Sequence, residues 1–122
     1  MVLNFWFVVA KELTAIVERL QECLGLEDLK HDYEDTWEWI TATNKTEELD
    51  FNISRKHDCG KGDYKEPVRV MVRKNDGQIT DETIAELGVR MARCLETKVF
   101  YGQVRFLSGD QLEFIEQKEY WR

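Results

Sequence analysis

The period at which apolar and polar residues alternate changes several times along the chain, and each change marks an element. Residues 4 to 24 carry apolar side chains at helical spacing: Phe5, Val9, Leu13, Ile16, Val17, Leu20 and Leu24. Lys11, Glu12, Glu18, Arg19 and Glu22 fill the other side. The spacing predicts one continuous helix, capped by Asn4 and ended by Gly25, although the opening FWFVV also has the composition of a strand. An acidic loop follows. Residues 36–43 and 49–55 read as two strands joined around NKTEE, and HDCGKGDYKE reads as a glycine-bearing loop. PVRVMVRK alternates cleanly, with Val68, Val70 and Val72 on one face and Arg69, Met71 and Arg73 on the other. After a turn at NDGQ, Thr80 with Asp81 and Glu82 behind it starts a second helix. Its apolar stripe is Ile84, Leu87, Met91 and Leu95. KVFYGQVRFL and QLEFIEQKEYW close the chain as a hairpin around SGD.

The predicted order is therefore α-β-β-β-α-β-β. Each helix brings one apolar stripe and most strands offer one apolar face. The economical arrangement is an α+β two-layer sandwich, a mostly antiparallel sheet of about five strands with both helices on one face. A chain of 122 residues fits one such domain over residues 1–122 and buries a core without staples. The second sheet face is left to water or to a partner.

Strand parity assigns faces. Trp37 and Trp39 share one face of their strand, Glu38 and Ile40 the other. Burying Glu38 unpaired would be costly, so the tryptophans are expected beneath the helices, as core. On the last hairpin, Phe100, Val104 and Phe106 are expected inward. Tyr101, Gln103 and Arg105 then point outward beside Arg69, Met71 and Arg73, with Ile115 joining them. Such an open face mixes arginine, tyrosine and methionine, which suits contact with a protein, a small ligand or RNA. Cross-strand pairing of its arginines with glutamates is the alternative.

Composition narrows the partners. The chain is 43% hydrophobic and 11% aromatic, as globular proteins are, and its formal charge is −7. Between Glu27 and Asp50 lie nine carboxylates against Lys30 and Lys45, so this segment holds the whole excess. A run of this kind is either a solvated rim or a surface that steers a basic partner. In the second reading the contact residues are Asp32, Tyr33, Glu34, Asp35 and Glu38, with Tyr33 as the aromatic anchor. The negative charge makes nucleic acid an unfavoured partner, and no RNP-like string occurs.

No catalytic signature is present. The acidic stretch lacks the glycine and ligand spacing of a calcium loop. His57 and Cys59 stand two apart on a glycine-rich loop, and His31, Cys23 and Cys94 have no zinc-ligand spacing. CGKGDYK is not a phosphate loop. No cofactor, metal or enzymatic activity is expected. Three cysteines without C-x-x-C suggest reduced thiols, with Cys23 and Cys94 on or near apolar stripes. No basic n-region precedes the short apolar run at the start, and no stretch approaches the roughly 20 apolar residues of a membrane helix. The expected setting is the cytoplasm, without membrane contact. An uncovered edge strand could also support a homodimer.

WEWI, FNISRKH running on to EPVRVMVRKN, and the closing VFYGQVRF sit in a chain whose size, acidity and layout resemble bacterial immunity proteins, which neutralise polymorphic or contact-dependent toxins. The resemblance implies inhibition by occlusion of a basic, toxin-like partner, with carboxylates filling a cleft meant for phosphate. No residue role carries over from it.

Overall fold

A computed structural model describes residues 2–34, 36–56, 64–75, 77–108 and 111–121. Asp35, residues 57–63 of the loop expected over 57–66, with His57 and Cys59, and Asp76, Gly109 and Asp110 of the two expected turns lie outside them. The elements are β1 (Val2–Phe7), α1 (Leu13–Leu24), β2 (Glu27–Tyr33), β3 (Trp37–Asn44), β4 (Leu49–Lys56), β5 (Val68–Lys74), α2 (Asp81–Leu95), β6 (Val99–Ser108) and β7 (Gln111–Tyr120). Seven strands form one antiparallel sheet in the order β2-β3-β4-β5-β1-β6-β7. The α+β class and the two helices match expectation; the strand count and the order do not.

The first correction is β1. The segment read as the start of a helix is a strand in the middle of the sheet, paired with β5 on one side and β6 on the other. Asn4 is therefore no helix cap; its Oδ1 accepts a hydrogen bond from Arg69 Nε at 3.0 Å. β1 is covered on both faces, by the core on one side and by Phe100 and Phe114 against Trp6 on the other, so apolar side chains stand at successive positions. Phe5 and Phe7 are fully buried on one side, and Trp6 is 6% exposed on the other. The helix begins only at Leu13, with Glu12 at its N-terminus.

The second correction is β2, expected as loop. Every residue of this edge strand is exposed, so its sequence shows no apolar alternation. Charged side chains and an irregularity between Glu27 and Lys30, where Asp28 adopts φ 55°, protect the edge from pairing with another chain.

The core lies between the two helices and one sheet face. α1 contributes Leu13, Ile16, Val17, Leu20 and Leu24, and α2 contributes Ile84, Leu87, Met91 and Leu95, the stripe read from the sequence. They rest on Phe5, Phe7, Ile53, Val68, Val70 and Val72, all fully buried. Each such side chain stabilises the fold by roughly 1.5–3 kcal/mol through burial. Gly25 ends α1 in the left-handed conformation as expected, and the Thr80 hydroxyl accepts the Thr83 N–H at the start of α2. Buried Asn44 ties two elements together: its Nδ2 donates to the Leu24 carbonyl at 2.7 Å while its Oδ1 accepts from the Glu47 N–H at 2.9 Å.

Cys23 and Cys94 are joined in a disulfide, with Cα atoms 6.2 Å apart. That separation lies within the range disulfides adopt. The expectation of reduced thiols is thus corrected for these two: they sit where α1 meets α2.

Candidate functional site

The helices cover one face of the sheet, and the other face is built from residues of opposite parity. On β3 the buried side carries Ile40, Ala42 and Asn44, so Trp37 and Trp39 stand on the open face, each half-buried. This reverses the expected placement of the tryptophans. The premise behind that expectation was an unpaired Glu38. Instead, Glu38 Oε2 lies 2.6 Å from His31 Nε2 on β2, and Glu38 sits directly opposite Arg55 on β4. Compensated in this way, Glu38 can take the helix side.

The acidic set does not form one patch. Asp32 pairs in register with Trp39 and shares its face, and its Oδ1 accepts the Tyr33 N–H at 2.8 Å. Glu34 lines the same recess as the tryptophans and closes the turn into β3 through backbone bonds with Trp37. Tyr33, 57% exposed, and Glu38 face the opposite side, where the Tyr33 ring lies 4.6 Å from that of His31. Consecutive strand residues alternate faces, which splits the cluster. Asp35 lies outside the described residues.

The alternative set divides too. Arg69, Met71 and Arg73 stand on the open face as expected. Tyr101 does not: it pairs in register with Phe5 and packs on the helix side, ring centroids 5.1 Å apart. Arg105 shares that side and bonds Glu113 at 2.6 Å. Gln103 and Ile115, opposite each other, lie there as well. Burial, aided by the charge of Asp81, raises the Tyr101 pKa above its ordinary value. The sequence favoured the wrong parity because Phe100, Val104 and Phe106 are the more apolar set. They are apolar because the open face is itself aromatic here. Trp6 packs on Phe114 at 5.1 Å and on Phe100 at 6.3 Å.

The sheet curls around this aromatic floor. Register shifts on β6–β7 between Tyr101 and Gly102, and between Phe106 and Ser108, bend the hairpin. Gly102 is required at the first, because a Cβ there would meet the Ile115 carbonyl oxygen and the Trp6 ring. Phe106 and Leu112 consequently wall the same recess as Trp37 and Trp39, although β3 and β6 are separated by three strands. This recess, of about 260 Å³, also contains Asn52, Ser54, Arg69 and Met71. It runs into a trough of about 700 Å³ over β2–β5, lined by Lys30, Thr41, Asp50, Asn52, Met71 and Arg73. Toward the hairpin it adjoins a third hollow of about 270 Å³, bounded by Trp37, Lys56, Leu107 and Phe114. The recess shares Asn52 and Met71 with the trough and Trp37 and Leu112 with the third hollow, so the three lie side by side along one sheet face.

Two polar groups in the concavity are incompletely satisfied. Asn52 Oδ1 is buried without a hydrogen-bond partner. Arg69 is half-buried; burial lowers its pKa from the ordinary arginine value, and its guanidinium carbon lies 6.0 Å from the centre of the Phe106 ring. Parity could have exposed this site: Thr41 and Thr43 continue the tryptophan face, Ile40 and Ala42 the other, so the more apolar half of β3 points away from Trp37.

Among the described residues no group of three or more His, Cys, Asp or Glu side chains is placed to hold a metal ion. Among the same residues no helix is long and apolar enough to cross a membrane. Comparison with protein-family models, with curated proteins and with solved structures returned no match to this chain.

Proposed function

We propose that this chain is a non-enzymatic protein-binding module whose interface is the concave sheet face, and that it inhibits a protein partner by occupying the partner's surface, as an immunity-type protein would. The observation that carries the reading is the row of adjoining hollows on this face, the central one walled by Trp37, Trp39, Met71, Phe106 and Leu112 and lined also by Arg69. Tryptophan and arginine in a partly desolvated hollow are the side chains that dominate binding energy at protein interfaces, with methionine and phenylalanine also enriched there. Exposed contiguous apolar surface is uncommon on proteins that bind nothing. The three hollows are lined by Lys30, Lys56, Arg69 and Arg73 against Asp28, Glu34, Asp50 and Glu66, so the acid excess lies elsewhere. The −7 charge acts at longer range and draws a partner that is basic overall.

The test is capture of the partner from the native host's lysate by tagged wild type, Trp39→Ala and, as a helix-side control, Glu18→Ala. One protein should be retained by wild type and by the control, and lost about 30-fold with Trp39→Ala, as for an interface anchor worth about 2 kcal/mol. Equal retention by Trp39→Ala would remove the concave face from the reading. Salt-sensitive RNA in place of a protein would assign the same face to nucleic acid.

A further inference from the structure

Arg69 is a half-buried charge lining the central recess. Its single described hydrogen bond uses Nε, to Asn4 Oδ1, and neither Nη group has a described hydrogen bond or ion pair. Its cross-strand neighbours, Trp6 on β1 and Ser54 on β4, carry no charge. Burial is the cause of its lowered pKa, and no carboxylate among the described residues is paired with it. The contrast with Arg90 is direct: that side chain, also partly buried, holds Glu47 at 3.3 Å and Glu86 at 3.6 Å. A half-desolvated guanidinium without a carboxylate is unfavourable in the free protein. It becomes favourable when a ligand supplies the missing anion.

We propose that Arg69 anchors a carboxylate-binding subsite, which takes one aspartate or glutamate side chain presented beside an apolar residue by the partner's docking segment. This rests on the concave face being the interface. The planar fork of a guanidinium receives a carboxylate through two parallel hydrogen bonds, and Nη1 and Nη2 remain available for them. Trp39, Phe106 and Leu112 wall the recess and give the neighbouring apolar side chain a dry seat. Excluding water there strengthens the ion pair at the floor. A single carboxylate fits better than a nucleic-acid backbone: Glu34 in the recess, Asp50 in the trough and Glu66 toward the hairpin are spaced along the face and would repel successive phosphates more than one carboxylate at Arg69.

The experiment pans a phage-displayed random peptide library against wild type, Arg69→Met, Arg69→Lys and Trp39→Ala, with thermal melts of each variant. Wild type should enrich peptides holding an Asp or Glu next to an apolar residue. Replacing that acid by its amide should weaken binding about tenfold or more. Arg69→Met should weaken it equally while melting no lower than wild type, because a costly group has been removed. Arg69→Lys keeps the charge without the fork and should fall between, so the answer stands even where the Met variant fails to fold. Enriched peptides that need Trp39 but neither an acid nor Arg69 would overturn the subsite and leave the docking face intact. No enrichment, or binding indifferent to all three variants, would overturn both. Single-stranded RNA bound through Arg69 would overturn the carboxylate.

Discussion

Tyr120 shows how single side chains are held on the helix side. Its ring lies against Gly88 of α2, so close that a Cβ on Gly88 would collide with it, and its hydroxyl is buried without a hydrogen-bond partner. Burial raises its pKa, with the charges of Tyr101 and Asp81 adding to the effect. A raised tyrosine pKa means the native state holds its proton where the unfolded chain has released it. The stabilisation is complete below the ordinary value of about 10 and is lost as pH rises through the native value. Tyr120→Phe removes an unsatisfied hydroxyl and one of these two alkaline liabilities. It should leave urea stability at neutral pH unchanged or about 1 kcal/mol higher, and flatten the fall between neutral and alkaline pH. A loss above 1 kcal/mol at neutral pH would show that the hydroxyl is satisfied after all. At this scale the sequence was legible where parity could be checked against an unambiguous apolar set, as for Val68, Val70 and Val72. It misled at Trp37 and Trp39, where the decision turned on whether Glu38 had a partner. The partner, His31, comes from a strand that the sequence did not reveal.

Among the elements, both helices are joined by a cross-link as well as by their packing. The Cys23–Cys94 disulfide closes a span of 71 residues, and the loop-entropy model gives such a bond about 4 kcal/mol of stabilisation. Reductant should therefore lower the melting temperature of the wild type markedly and leave Cys23→Ser unaffected. Denatured wild type should titrate one thiol, that of Cys59. Three titratable thiols and a melt indifferent to reductant would contradict the cross-link. Spacing within one helix could not disclose this pairing, because the two cysteines meet only when α1 and α2 pack. The same limit hid β1 and β2. The apolar spacing of Phe5 and Val9 happens to continue the helical register of α1, while a two-sided central strand leaves no period of its own. An all-exposed edge strand such as β2 has no apolar period either. The elements with one buried face, β3 to β5 and α2, were legible from the chain alone.

For the molecule as a whole, the two faces of the sheet have different fates. One is sealed by the helices into a single core, and the other curls into a concavity whose tryptophans stay only partly buried. The curl follows from the irregularities of the β6–β7 hairpin and the sheet's twist, which bring strands distant in the sheet order to one recess. No local pattern encodes that proximity, so the open face was foreseen but not its shape, its tryptophans or its aromatic floor. The central claim is that this concavity is where a partner protein sits. The most direct measurement places a photo-cross-linking amino acid at Thr41 or Met71 in the concavity, and at Glu18 on α1, in the native host. Irradiation should join one protein to positions 41 and 71 and leave position 18 without that product. The same product from position 18, with none from 41 or 71, would move the interface to the helices and contradict the account.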